Sequence, residues 1–195
     1  MNTINGTVRE RIVAAARAEF AEHGMAGARI GRIAARAATS KERIYAYFRT
    51  KQELLEEISA TRYAHLTAIA AIDANDLPGF VGRLFDHYIA NPDELRLNRW
   101  AGLEDVNATL PPDSPRIAMI DAGAREIARG QALGLVDPGW RPLDLFSMLV
   151  SLAMAWPSAP PEVRQSSDAW HGDAGDITIH RAAAVEAARR LTTPR

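Results

Sequence analysis

The stretch RIGRIAARAATSKERIYAYFRTK, residues 29–51, encodes two short helices with a tight turn between them. A helix over 29–37 buries Ile30, Ile33 and Ala34, and Ala38 and Thr39 make the turn. Ser40 then caps a second helix that runs to Phe48, with Ile44 and Phe48 one helical turn apart and facing inward. Burial of that edge leaves the opposite one to display Lys41, Glu42, Arg43 and Tyr45. A short helix of this kind fits a DNA major groove about 12 Å wide, where Arg and Lys reach guanine acceptors. Tyr hydroxyls there bond phosphate oxygens. The arrangement is the helix-turn-helix plan, in which the second helix enters the groove and the first crosses the backbone.

Charge around this stretch agrees with that plan. Residues 1–51 carry ten Arg/Lys against four Glu, a net of +6, whereas the remaining residues carry thirteen basic against twenty acidic, a net of −7. A basic head on an acidic body suits a phosphate-binding segment attached to a solvated regulatory one. The chain has no cysteine, so disulfides and thiolate metal sites are excluded and a reducing, cytoplasmic setting is expected. Arg9, Glu10 and Arg11 interrupt the first apolar turn, so no signal peptide is read, and the longest uncharged stretch (145–161) is broken by prolines.

The flanking periodicity is helical throughout. Thr7 and Glu10 have the spacing of a capping box, and Val8, Ile12, Ala16 and Phe20 recur every four residues up to a stop at Gly24. Thr50 caps a long helix from 51 to about 71 with Leu54, Leu55, Ile58, Leu66 and Ile69 as its apolar positions. Further helices are expected over 79–90, 93–107, 115–133, 142–156 and 177–191, punctuated by Pro92, Pro111-Pro112, Pro138-Gly139 and Pro157. Residues 157–176 read as a loop with one short helix near 162–166, and no window alternates as a strand would.

Ile33-Ala34, Ala37-Ala38-Thr39-Ser40-Lys41, Ile44-Tyr45-Ala46-Tyr47-Phe48, Lys51 and Leu54-Leu55 together resemble the DNA-binding signature of tetracycline-repressor (TetR) type regulators. The resemblance covers about residues 8–58, and its Y-x-Y-F-x-x-K portion is the specific part. It departs from the family at three places. Ala38 stands where glycine is usual, implying a right-handed or slightly strained turn, and Thr39 replaces a small apolar residue. Ala28 stands where a threonine normally caps the helix and touches phosphate, with Arg29 beside it as the substitute. The resemblance implies an all-α fold: a three-helix DNA-binding head (1–51) and a helical effector-binding and dimerisation domain (52–195). It assigns base contacts to Lys41 and Arg43, a contact straddling base and backbone to Tyr45, and a phosphate contact to Tyr47. Lys51 would bind DNA as well, adding its ammonium at the next helix's N-terminus to neutralise a phosphate. A core role for both tyrosines is constrained by their i, i+2 spacing, which sends them to different faces.

By the same resemblance the last two long helices, 144–156 and 177–191, pair two copies into a homodimer on two-fold symmetric operator DNA. An effector pocket in the C-terminal part would draw on Phe85, His87, Tyr88, Trp100, Leu103, Glu104, Met119, Ile120, Phe146 and Met154, mostly bulky and apolar with two groups to orient a polar atom. That balance points to a largely apolar small molecule. Neither a metal nor a cofactor is expected, since His87, His171 and His180 share no short ligand spacing. Enzymatic signatures are missing: no G-x-S-x-G elbow, phosphate loop or H-E-x-x-H helix occurs. The competing reading is a helical adaptor or ligand-binding protein that does not regulate DNA. Such a protein has no need of the +6/−7 split or of Y-x-Y-F-x-x-K.

Overall fold

The computed structural model describes residues 7–69, 71–104, 114–172 and 175–194, with 101–104 described by their backbone alone. These residues form ten helices and no strand: α1 Val8–Gly27, α2 Ile30–Arg36, α3 Lys41–Tyr47, α4 Lys51–Ile69, α5 Leu77–Ala90, α6 Pro92–Glu104, α7 Pro115–Ala132, α8 Pro142–Ala155, α9 Pro161–His171 and α10 Ile177–Thr192.

Local chemistry sets the first helices. The Thr7 hydroxyl accepts the Glu10 N–H, and the Thr7 N–H donates back to the Glu10 carboxylate at 2.8 Å, completing a capping box. Gly24, at φ 66° and ψ 177°, breaks α1 in a backbone region open essentially to glycine, and the helical geometry resumes up to Gly27. The helix therefore stops at 23 as its sequence signals but restarts for one short turn. Ile12, Ala16 and Phe20 of α1, Ile33 and Ala34 of α2, Ile44 of α3 and Phe48 just after it close over one another as the core of the head.

The turn between α2 and α3 is a Schellman motif. The Thr39 N–H donates to the Ala34 carbonyl and the Ala38 N–H to the Ala35 carbonyl. That geometry requires a left-handed residue at position 38, and Ala38 supplies it at φ 50°, the one positive-φ non-glycine among the described residues. The turn is thus left-handed, and the right-handed alternative is excluded because it would not bring those two N–H groups to their carbonyls. A Cβ in this region costs about 1–2 kcal/mol. Replacement by glycine relieves that cost but frees the unfolded chain, so Ala38→Gly is expected to stabilise the head by about 0.5–1 kcal/mol net. Thermal unfolding should then show a rise of a few degrees, and an unchanged or lower midpoint would mean the turn carries no strain.

Two compact units divide the chain elsewhere than at residue 51. The first comprises Met1–Ala64 and Asp93–Thr109, the second His65–Pro92 and Leu110–Arg195. Packing is the reason. Leu54 and Ile58 of α4 and Leu97 of α6 lie in the same buried cluster as α1 to α3. Arg17 pairs with the buried Glu94 at 3.1 Å, and the Trp100 indole N–H donates to the Ala21 carbonyl at 3.3 Å. Most of α4 and α6 thus belongs to the head.

The second unit is built on α5, which packs against α8 and α10, with α7 against α8. Asp76 caps α5 by accepting the Gly79 N–H at 2.9 Å, with Pro78 in the first turn, so the helix starts two residues before the expected point. Val81, Phe85, Ile127, Leu145, Leu149 and Ala153 have no exposed surface. Gly123 is required on α7, since a Cβ there would lie 2.3 Å from the Phe146 ring. Helix α9 occupies residues expected to be mainly loop. Pro160 and Pro161 start it and Gly172, left-handed at φ 69°, ends it, but no residue of it is buried. Pro157, Pro160 and Pro161 and the serines of this stretch read as loop signals, so only its first turn is expected to be helical. Among the described residues no helix is long and apolar enough to cross a membrane.

Candidate nucleic-acid interface

Helix α3 has seven residues, and its orientation rests on two contrasting sets of them. The Ser40 hydroxyl accepts the Arg43 N–H at 3.1 Å and fixes the N-terminus. Ile44 and Phe48 are buried against the head core. Lys41, Glu42, Arg43, Tyr45 and Tyr47 all face outward, the two tyrosines 52% and 40% exposed. Neither ring is core, so both are available to a partner. Gly31 matters to the first of these residues: its open side lets the Lys41 stem cross the start of α2, with the lysine Cε 3.2 Å from where a Cβ would stand. Glu42 is the acid of this face. Hydrogen bonds from its own backbone N–H and from the Ser40 hydroxyl hold its carboxyl below the ordinary range, so it remains an acceptor at neutral pH.

Ion pairing sorts the basic residues of the head into two groups. Arg9 pairs with Glu57, Arg17 with Glu94, Arg32 with Glu19 and Arg36 with Glu22, at 2.6 to 3.1 Å. Arg29, Lys41, Arg43 and Arg49 are exposed, and their side chains make no ion pair among the described residues, although the backbone N–H groups of Arg29 and Arg49 donate to Glu19 and Glu53. The cations left over flank the start of α2, the outer face of α3 and the link into α4. Lys51 is half-buried and its ammonium donates to the Ala28 carbonyl at 3.1 Å, tying α4 back to the α1–α2 junction.

The residues read as an effector lining fall in two places. Phe85, His87 and Tyr88 are buried on α5, and Phe146, buried on α8, stacks with Phe80 at 6.3 Å between ring centroids. Met119 and Ile120 on α7 and Met154 on α8 are half-buried, all within the second unit. The Asn91 amide lies 3.3 Å from His87 Nδ1, and the His65 ring is 5.7 Å from that of His87. Trp100, Leu103 and Glu104 lie instead on α6, with the head. Of these, the side chains of Leu103 and Glu104 lie outside the described residues.

Residues 12–58 match the family described as "Bacterial regulatory proteins, tetR family", and residues 76–190 match "Tetracyclin repressor-like, C-terminal domain". The chain belongs to the TetR family. It is 36% identical over 183 residues to the HTH-type transcriptional repressor SCO4008 of Streptomyces coelicolor, with 94% of each chain covered. SCO4942 of the same organism, described as a transcriptional regulator, has a crystal structure that superposes with a TM-score of 0.84 at 39% identity, over 95% of this chain and 98% of that one. A regulator from Saccharomonospora viridis, solved in complex with choline, shares the fold at a TM-score of 0.64 and 19% identity, with 96% and 98% covered. This TetR-family chain is accordingly a DNA-binding transcriptional regulator and not an enzyme. Regulators of this family bind operator DNA, act as dimers and respond to small-molecule effectors.

Sequence reasoning missed one residue of the TetR head. Glu19 has no exposed surface, and its carboxylate accepts the Arg29 N–H at 2.9 Å and Arg32 Nε–H at 2.6 Å. The signal was present in the spacing: Glu19 falls seven residues after Ile12, on the stripe that otherwise carries Ile12, Ala16 and Phe20. A carboxylate on an apolar stripe needs a buried partner.

Proposed function

We propose that the chain is a repressor that grips a near-palindromic operator as a homodimer and leaves it when a largely apolar small molecule binds the second unit. The observation that carries this reading is the outer face of α3. It presents Lys41, Glu42, Arg43, Tyr45 and Tyr47 together, while Ile44 and Phe48 anchor the helix from behind. Arg43 and Lys41 contact guanine edges, Glu42 accepts from cytosine N4, Tyr45 straddles base and backbone, and Tyr47 contacts phosphate. Arg29 and Arg49 neutralise phosphates on either side, and Lys51 supports them by holding the start of α2. Repression follows the naming of the 36%-identical relative as a repressor.

The proposed dimer surface is the exposed, small-sided face of α8 and α10. Ser147, Ser151 and Ala155 line it on α8, and Ile179, Ala182 and Ala183 on α10. Half-sites then lie about one helical turn, roughly 34 Å, apart or a simple multiple of it. The effector lining we propose is Phe85, His87, Tyr88, Met119, Phe146 and Met154, all in the second unit. Trp100 is assigned to the head because Ala21 already occupies its indole N–H. Choline in the Saccharomonospora viridis regulator is a small organic cation. The buried rings here favour an apolar molecule instead.

Selection of bound fragments from random DNA with the purified full-length protein tests the reading and yields the operator. Affinity for the selected fragment should fall steeply with salt, at a log–log slope of about −0.9 per neutralised phosphate. Arg49→Ala should flatten that slope by roughly one unit per protomer and weaken all sequences alike. Failure to enrich any sequence, or a salt-independent binding curve, removes operator binding from the account.

A further inference from the structure

The junction between α1 and α2 has no cap of its own. Arg29, the N-cap of α2, makes no side-chain capping bond, and Ala28 has no hydroxyl to make one. Yet the polar groups of this junction are held. The Ala28 N–H donates to the Gly24 carbonyl at 3.1 Å, Arg32 donates to the Gly27 carbonyl at 2.8 Å, and Lys51 donates to the Ala28 carbonyl at 3.1 Å. The Arg29 N–H is taken by Glu19 Oε1 at 2.9 Å, and the same oxygen receives Arg32 Nε–H. Glu19 Oε2 is buried with no hydrogen-bond partner among the described residues, and His23 Nε2 stands 3.9 Å away.

Resting on the operator-binding reading above, we infer that Glu19 is a positioning residue for DNA recognition. From within α1 its carboxylate fixes the start of α2 in place of a local cap. The turn at 37–40 is tight and the N–H groups of Ala37, Ala38 and Thr39 are bonded back to α2, so α3 follows α2 as one piece. The tilt of α2 on α1 therefore sets the angle at which Lys41 and Arg43 meet the groove. Burial alone would raise the Glu19 carboxyl, but Arg32 and the Arg29 N–H outweigh it and keep the group below its ordinary range. The acceptor thus persists at neutral pH.

A purely stabilising ion pair and a positioning one make different forecasts for an apolar replacement. Removing one partner of a buried pair costs stability in either case, because the other partner loses its compensation, but only a positioning role makes the loss of affinity depend on sequence. Glu19→Leu fills the same space, and the half-exposed Arg32 can turn to solvent. Leucine leaves the Arg29 N–H without its acceptor, so the thermal midpoint should fall by a few degrees. If Glu19 positions α2, the variant should still fold and dimerise yet lose about tenfold or more in affinity for the selected fragment when assayed well below that midpoint. Its affinity for a scrambled fragment of equal length should change less than about twofold, because phosphate contacts survive a tilt better than base contacts. Glu19→Gln retains an acceptor for the Arg29 N–H and should recover most of the loss. Wild-type affinity in Glu19→Leu would overturn the inference, as would an equal loss on both fragments that glutamine fails to restore. If Glu19→Leu does not fold, Arg32→Gln carries the test, since the half-exposed Arg32 can be replaced without opening the core while its bonds to Glu19 and the Gly27 carbonyl are removed. The ratio of selected to scrambled affinity should then fall, and an unchanged ratio overturns the inference. A wild type that enriches no DNA would instead remove the operator reading itself.

Discussion

Ser151→Arg is expected to split the homodimer and, with it, to remove about 10²–10⁴-fold of operator affinity. The size of the effect follows from symmetry. Near a two-fold axis each interface residue faces its own copy or a close neighbour of it, so one substitution inserts two guanidinium groups into one patch. Ser151 suits this test because it is exposed on α8 and its hydroxyl donates only to the Ser147 carbonyl one turn earlier. Arginine there leaves no buried group unsatisfied and keeps good helix propensity. Circular dichroism should stay as in the wild type while sedimentation shows a monomer at micromolar concentration. A charge at Leu149 would give a different result, because Leu149 belongs to the core of the protomer with Leu145 and Ala153. Leu149→Glu should unfold the second unit by burying an unpaired carboxylate. A Ser151→Arg protein that remains dimeric with full affinity would move the dimer surface away from α8 and α10.

Local signals explain how much of this architecture could be read in advance. Thr7 with Glu10, Ser40 with Arg43, and Thr50 with Glu53 are caps formed within three or four residues, and they set the starts of α1, α3 and α4 as expected. Ile44 and Phe48 face inward for the same reason, since one helical turn relates them. Contacts between distant residues were not legible. Leu97, Glu94 and Trp100 join the head through the core cluster, Arg17 and Ala21, and nothing in the local pattern at 93–104 announces that Arg17 and Ala21, 77 and 79 residues earlier, are the partners of Glu94 and Trp100. Lys51 lies beside α3 in sequence, where a phosphate role was natural, yet its ammonium bonds a carbonyl 23 residues back. Position 38 shows the reverse failure. The alanine left a right-handed or a slightly strained turn open, and the hydrogen bonds of the Schellman motif select the strained, left-handed one.

Arg43→Ala should cost about 1–3 kcal/mol per half-site and thus about 2–6 kcal/mol for the dimer. The side chain is free to be tested in isolation. Its backbone N–H, not its guanidinium, makes the cap with Ser40, so truncation to alanine leaves the start of α3 intact. Alanine also has the best helix propensity, and Arg43 is exposed with no ion pair to break among the described residues. A loss of affinity then reports the DNA contact and not the fold. Two features separate a base contact from a phosphate contact. If the guanidinium forks onto a guanine, Arg43→Lys recovers little, because an ammonium cannot reproduce a planar bidentate donor. The salt slope should also stay near the wild-type value, whereas Arg49→Ala flattens it. Repeating the selection from random DNA with Arg43→Ala locates the contact, since preference should relax at one position of each half-site and persist elsewhere. Uniform weakening on every sequence, with a flatter salt slope, would move Arg43 onto the backbone and leave Lys41, Glu42 and Tyr45 to read the groove.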